Sequence, residues 1–230
     1  VKNAQGQLVR VIDNPDGGGS NSKAETSYRY DADGNLRYMA SHPSEKSVVY
    51  TTELRYDALG RKTYMNDPDK GVWEYRYNAF GELVWQMDAK RQVSEMHYDK
   101  LGRMQNRIDR AAINTLEGYT YWYFDQDLNG KPLDNAQGQI TAVVMSNTMG
   151  DKTCTKASGN YCKLYDYDSL GRLDQVTVSL PDSDDMFVTE TVYDNIGRVS
   201  ESLDVLHNKV SNLSNSSSRS GTRNHFDGRG

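Results

Sequence analysis

At 230 residues with 27 Lys and Arg against 32 Asp and Glu, net charge −5, the chain carries no basic excess that would hold nucleic acid. Its 36% hydrophobic content and mean hydropathy of −0.81 are low for a compact globule, yet 16 Tyr, 4 Phe and 3 Trp exclude a disordered polymer. No apolar run approaches the roughly 20 residues of a membrane helix. The sequence starts at Val1 without a Met and ends inside "FDGRG", so it reads as a piece of a longer polypeptide, and the lack of a signal peptide says nothing about export.

Taken in chain order, one phrase keeps returning. A degenerate copy, "NAQGQL", stands at 3–8, followed by a Gly-, Ser- and Asn-rich insertion at 13–25. Clear copies follow: "YDADGNL" at 30–36, "YDALGRK" at 56–62, "YNAFGEL" at 77–83 and "YDKLGRM" at 98–104. A decayed copy, "DNAQGQI" at 134–140, keeps Asn-x-x-Gly without its Tyr. "YDSLGRL" at 167–173 and "YDNIGRV" at 193–199 come next, then a second polar insertion at 211–225 and "FDGRG" at 226–230. Together with a unit near 2–8 these make one uninterrupted array over 1–230, with no domain boundary.

The phrase has a local physical meaning. Asp at the start of a tight turn accepts backbone N–H groups two and three residues on. Gly at the fourth position supplies the positive φ of a type I turn followed by a bulge. Asp31 with Gly34, Asp57 with Gly60, Asp99 with Gly102, Asp168 with Gly171 and Asp194 with Gly197 fit, as does Gly81 after Asn78. The flanks alternate: Trp73, Tyr75 and Tyr77 fall on one face, and Leu83, Trp85 and Met87 are expected to continue that face on the partner strand. Tyr56 to Tyr77 and Tyr77 to Tyr98 are both 21 residues, room for two strands and two short turns but not for two helices. Tyr30 to Tyr56 and Tyr167 to Tyr193 are 26 residues. The second turn of the unit is visible at 66–71 and 88–92. The fold class is therefore all-β, built of tandem antiparallel hairpins.

The residues that follow or precede each turn have two readings. Tyr30, Tyr56, Tyr77, Tyr98, Tyr167 and Tyr193 could offer a platform for sugar faces, or could stack into a ladder that supports the sheet; the ladder is the better reading. Arg61, Arg103, Arg172 and Arg198 are placed to pair with the turn Asp.

Other candidates are sparse. Cys154 and Cys162 enclose "TKASGNY"; a disulfide and two separate thiols in neighbouring strands both fit, whereas zinc lacks ligands. His42, His97, His207 and His225 are dispersed with no nucleophile or carboxylate partner in sequence, so no enzyme is expected. "PDSDD" at 181–185 lacks the Gly and Glu of a calcium loop and reads as a hairpin tip, as do Asp13, Asn14 and Asp16 beside their Gly run. No cofactor or metal is implied.

The six full phrase copies resemble the YD repeat of the Rhs family, which includes bacterial Rhs toxins, the B and C components of Tc toxin complexes, and teneurins. The resemblance covers nearly the whole chain. It implies a continuous curved, spiralling antiparallel sheet forming part of a hollow shell, with flanking YD repeats of the same polypeptide and an enclosed toxin or other cargo as partners. It also implies a secreted or cell-surface bacterial protein, with neither nucleic acid nor a membrane span. A cell-surface adhesion or carbohydrate-binding repeat array is the alternative. Bacterial members close with an Asp-Pro-x-Gly-Leu protease motif; Asp67-Pro68-Asp69-Lys70-Gly71 has its Gly one residue late and no Leu, and reads as a turn.

Overall fold

The computed structural model describes residues 1–13, 24–42, 49–112, 115–155, 158–181, 183, 186–206 and 220–224. Sixteen strands form one antiparallel sheet whose strand order is the sequence order, and no helix occurs among the described residues. Most of the insertions at 13–25 and 211–225, with His207, His225, the terminal "FDGRG" and much of "PDSDD", lie outside the described residues. No described helix is long and apolar enough to cross a membrane.

Two compact units divide the chain. The first comprises 1–95 with 110–115, the second 96–109 with 116–230. In the first run β1 (Arg10–Asp13), β2 (Ala24–Tyr30), β3 (Leu36–His42), β4 (Tyr50–Tyr56), β5 (Lys62–Asp67), β6 (Gly71–Tyr77) and β7 (Leu83–Met87). β8 (Val93–Tyr98), β9 (Met104–Ala112) and β10 (Thr115–Phe124) each contribute residues to both units. The second continues with β11 (Ile140–Ser146), β12 (Tyr161–Tyr167), β13 (Leu173–Ser179), β14 (Met186–Tyr193), β15 (Val199–Leu206) and β16 (Ser220–Arg223).

Each phrase ends one strand and starts the next, and the copies share one irregularity. Tyr56 pairs with Lys62 while Arg55 pairs with Tyr64, so Thr63 is an extra residue, a bulge. The shift recurs at Tyr30, Tyr77, Tyr167 and Tyr193. This bulge corrects one expectation. Because Val84 is the extra residue after Tyr77↔Leu83, Trp85 falls opposite Arg76 and Met87 opposite Glu74. Trp85 and Met87 therefore leave the face of Trp73 and Tyr75, since a one-residue shift reverses every later side chain. The Arg76 guanidinium lies 4.2 Å from the Trp85 ring centre, while Trp73 and Tyr75 stack on each other at 6.3 Å.

Burial is thin, as a single sheet dictates. Among the described residues, the packed cluster of buried side chains lies in the second unit, where Tyr123, Ala142, Val144 and Cys162 meet across β10, β11 and β12, with Tyr121, Leu128, Cys154 and Leu164 against them. Val144 is fully buried.

Candidate functional site

The phrase turns are built on one carboxylate. Asp57 Oδ1 accepts the backbone N–H groups of Leu59 (2.9 Å) and Arg61 (3.0 Å), two and four residues on. The Asp57 carbonyl accepts Gly60 N–H, and Asp57 N–H donates to the Arg61 carbonyl, each at 3.0 Å. The connection is thus five residues long, and the carboxylate reaches one residue further than local turn rules suggested. Gly60 sits at φ +73, where a Cβ is strained. Asp57 Oδ2 receives Arg61 Nε at 2.7 Å. Asp168 with Arg172 and Asp194 with Arg198 repeat the whole pattern, with Nε–Oδ2 distances of 2.7 and 2.8 Å. The Arg172 side chain and backbone N–H together hold the Asp168 carboxyl below the usual carboxylate range.

The glycines of the other copies correct the expected bonding in the same way. Gly102, Gly171 and Gly197 take the expected positive φ, at 77, 74 and 88. Standing three residues after the turn Asp, each was expected to donate its N–H to that carboxylate. Instead Gly102 donates to the Asp99 carbonyl (3.1 Å), Gly171 to the Asp168 carbonyl (2.9 Å) and Gly197 to the Asp194 carbonyl (3.0 Å). The physical reason is that the turn closes backbone to backbone across those three residues, which frees the carboxylate for the N–H of Arg103, Arg172 and Arg198 one residue later.

Substituted copies keep the geometry. In the third clear copy Asn78 Oδ1 accepts Phe80 and Glu82 N–H, and its Nδ2 donates to Glu82 Oε2, so donor and acceptor have exchanged places. Gly81 again donates to the carbonyl that opens its turn, that of Asn78. Asn3 repeats the arrangement with Gln5 and Gln7. Asp31 holds Asp33 and Asn35, with Gly34 at positive φ.

Neighbouring turns are fastened to each other, a feature that local sequence did not announce. Phrase tyrosines donate their hydroxyls to the first carbonyl after the preceding phrase turn. Tyr30 reaches Leu8 (2.8 Å), Tyr77 reaches Lys62 (2.9 Å), Tyr167 reaches Ile140 (2.6 Å) and Tyr193 reaches Leu173 (2.9 Å). Arginines fasten in the opposite sense. Arg61 donates to the Asn78 carbonyl at 2.9 Å and lies over the Tyr77 ring at 5.0 Å; Arg172 lies over Tyr193 at 4.1 Å. At these steps a guanidinium, not a second ring, covers the aromatic face. The reason is spacing: successive phrase turns are two strands apart, about 9.6 Å, too far for ring on ring.

Arg103 carries this furthest. Its Nε donates to Asp99 Oδ2 at 2.7 Å, its Nη2 reaches Asp125 Oδ2 at 2.8 Å, and its guanidinium covers the Phe124 ring at 4.5 Å. Burial opposes ionisation of Asp99, but the Arg103 N–H and guanidinium outweigh it and hold its carboxyl low. For Asp125 the Arg103 side chain comes first, then the N–H of Gly138, and the carboxyl is again lowered.

Phe124 and Asp125 correct the reading of the decayed copy. Phe124 pairs with Ile140 at the same register shift that marks the phrase tyrosines, and Asp125 N–H donates to the Gln139 carbonyl. Asp125 Oδ1 accepts Gly138 N–H. The phrase is therefore split, Phe-Asp at 124–125 and Gly-Gln at 138–139, with a loop between, and Asn135 does not cap it. Inside that loop Asp127 caps a further turn through Asn129 and Lys131. The signal was present: Tyr98 to Phe124 is the 26-residue spacing seen elsewhere, and Phe-Asp recurs at 226–227. The turn at 88–92 also adopts the phrase pattern, with Asp88 holding Lys90 and Gln92, and Arg91 standing at φ 62 where the phrase has Gly.

Cys154 and Cys162 form a disulfide that closes the loop after β11, with Cα atoms 5.8 Å apart. Asn160 donates to the Thr153 carbonyl inside that loop, Lys152 covers the Tyr121 ring at 5.0 Å, and Gly150 N–H donates to Tyr121 Oη. The Tyr123 hydroxyl is buried and has no hydrogen-bond partner among the described residues.

His42 and His97 are exposed on β3 and β8, well separated in sequence and strand order. Asp67 is spent on its own turn: its Oδ1 accepts Asp69 and Lys70 N–H, and its Oδ2 accepts the Thr52 hydroxyl. Among the described residues, no group of three His, Cys, Asp or Glu side chains is placed to hold a metal ion. An open depression in the second unit is lined by Asp99, Arg103, Gln105, Trp122, Phe124 and Asp125, but both its carboxylates are engaged by Arg103.

No protein-family model matches the sequence. No curated protein matches it either. Among solved structures, TcdB2-TccC3 aligns with 89% of this chain and 12% of its own, at 14% identity and a TM-score of 0.49. The Photorhabdus luminescens Tc holotoxin pore aligns over 88% and 11%, at 14% identity and a TM-score of 0.48. A porin-like protein of Bacteroides uniformis covers 80% of this chain with 82% of its own, at 12% identity and a TM-score of 0.35. The chain spans only 11–12% of the Tc chains with which it aligns.

Proposed function

We propose that this chain is a structural wall segment of a YD-repeat shell that sequesters a toxin or other cargo polypeptide for delivery. The observation that carries the reading is the fastening of successive turns. The phrase residues that would have to act on a substrate are instead consumed in holding one hairpin to the next: Asp to its own turn, Arg and Tyr to the neighbouring one. An assembly of that kind grows by adding hairpins and needs little apolar core, which fits a wall. Its action is exclusion, keeping cargo from proteases and targets until release, and the partners are flanking YD repeats and the cargo. The setting is a secreted or surface-exposed bacterial toxin, without enzymatic activity in this segment. A sugar platform on the phrase tyrosines is disfavoured, because the Tyr77 and Tyr193 hydroxyls are bonded to the sheet and their faces are covered by arginine.

The test is electron microscopy of the polypeptide that carries this segment, with limited proteolysis of the same sample. A closed hollow particle that protects an interior fragment is the expected result. A solid or open particle, digestible throughout, overturns the proposal.

A further inference from the structure

The deepest burial in the second unit lies against a segment that is tied down covalently. Ala142, Val144 and Cys162 are 2%, 0% and 1% exposed, although a single sheet leaves its faces open to solvent. The segment 147–154, which follows β11, packs Cys154 against that cluster. Lys152 Nζ lies 5.0 Å from the Tyr121 ring centre and 5.6 Å from that of Tyr123, and Gly150 N–H donates to Tyr121 Oη at 2.9 Å. Within the segment Asp151 Oδ1 accepts Thr153 N–H, and Asn160 Nδ2 donates to the Thr153 carbonyl. The closed arrangement also carries a cost. Tyr123 is 8% exposed and its hydroxyl has no partner among the described residues, so closure keeps a polar group from both water and protein acceptors.

We propose that segment 147–154 is a strap whose closure depends on the Cys154–Cys162 bond, and that thiol–disulfide exchange with a dithiol releases it. The two sulfurs differ in access. Cys162 is buried, whereas Cys154 on the strap is half-buried, so the incoming thiolate attacks Cys154 Sγ and Cys162 Sγ leaves as the thiolate. The second thiol of the reductant then closes on its partner and expels Cys154. The protein gains two electrons and two protons as a pair of thiols, and the reductant leaves as a disulfide. What then holds the strap to β10 is the Gly150–Tyr121 hydrogen bond and the Lys152 ammonium, both exposed and therefore weak. Opening returns the Tyr123 hydroxyl to water, which favours release. Only this local cover moves, because the strands beneath keep their ladder. The tie lasts in an oxidising medium and is lost in a reducing one. The inference stands on the second unit alone and does not rest on the wall reading.

The test is trypsin digestion of the 230-residue chain under native conditions, oxidised and after dithiothreitol, with thiols counted by alkylation and each cut located by mass spectrometry. Cleavage after Lys152 is expected to rise about tenfold or more on reduction, while cleavage after Lys62 and Lys70 in the first unit keeps its rate. The double variant Cys154→Ser with Cys162→Ser should be cut at the fast rate with or without reductant. Tyr123→Phe removes the unpartnered hydroxyl, so its reduced form should be cut after Lys152 more slowly than the reduced parent. Complete reduction without faster cleavage at Lys152, equal acceleration at Lys62 and Lys70, or a reduced Tyr123→Phe chain cut as fast as the parent overturns the proposal.

Discussion

Arg103 shows how much one side chain of the repeat carries. It is the cation for two carboxylates of different turns, Asp99 and Asp125, and the lid of the Phe124 ring. Its side chain is 24% exposed, so screening is incomplete but not absent. Arg103→Ala is expected to lower stability by about 1–2 kcal/mol at neutral pH, measured by urea unfolding, because it uncovers the ring and leaves two facing carboxylates unpaired. The effect has a pH signature. Both carboxyls are held below their unfolded value of about 3.9, so the stability they contribute is fully present above that pH and drains away as pH falls through the lower folded values. The gap between parent and Arg103→Ala should therefore narrow steadily below about pH 4. A gap of constant size down to strong acid would mean that ring packing alone, not the ion pairs, sets the loss.

Among the turns, the loop 88–92 is the informative exception. It repeats the phrase hydrogen bonds, Asp88 to Lys90 and Gln92, but places Arg91 at φ 62. A left-handed conformation costs an L-residue about 1–2 kcal/mol, part of which glycine would return as lost chain entropy. Arg91→Gly is expected to stabilise the protein by about 0.5–1 kcal/mol, and Gly60→Ala to destabilise it by about 1 kcal/mol. Opposite signs in urea midpoints for these two substitutions would tie the phrase Gly to backbone conformation. Equal signs would argue that side-chain contacts decide both positions.

Across the whole molecule, stability should be local. Hairpins fastened mainly to their neighbours make a chain whose parts respond separately to damage. The disulfide provides the lever, since it closes a short loop over the cluster of Tyr123, Val144 and Cys162 in the second unit. Closing a loop of that length is worth roughly 2.5 kcal/mol in the chain-entropy picture. Trp122 lies in the second unit, whereas Trp73 and Trp85 lie in the first. Reduction, or Cys154→Ser with Cys162→Ser, is expected to move the unfolding transition reported by Trp122 by about 2 kcal/mol while leaving that of Trp73 and Trp85 nearly in place. Separate single-tryptophan variants make the comparison. Equal displacement of all three reporters would show a cooperative whole in place of a repeat array.

The sequence by itself determined the all-β class, the hairpin unit and the position of nearly every phrase turn, because those follow from local chemistry. Period-two strands, an Asp that caps a turn and a Gly that takes positive φ act within six residues. Tertiary structure decided what depends on register and lateral distance. The bulge at Val84 turned Trp85 and Met87 to the face of Arg76, which no alternation count could reveal. Strand pairing identified Phe124 and Asp125 as the missing half of the split phrase. Cys154 and Cys162, which the sequence left open between bond and thiols, were joined by the return of β12 beside the loop. The arginine over the ring of the next phrase likewise needed the two-strand spacing of neighbouring turns, about 9.6 Å, a length that exists only once the sheet has formed.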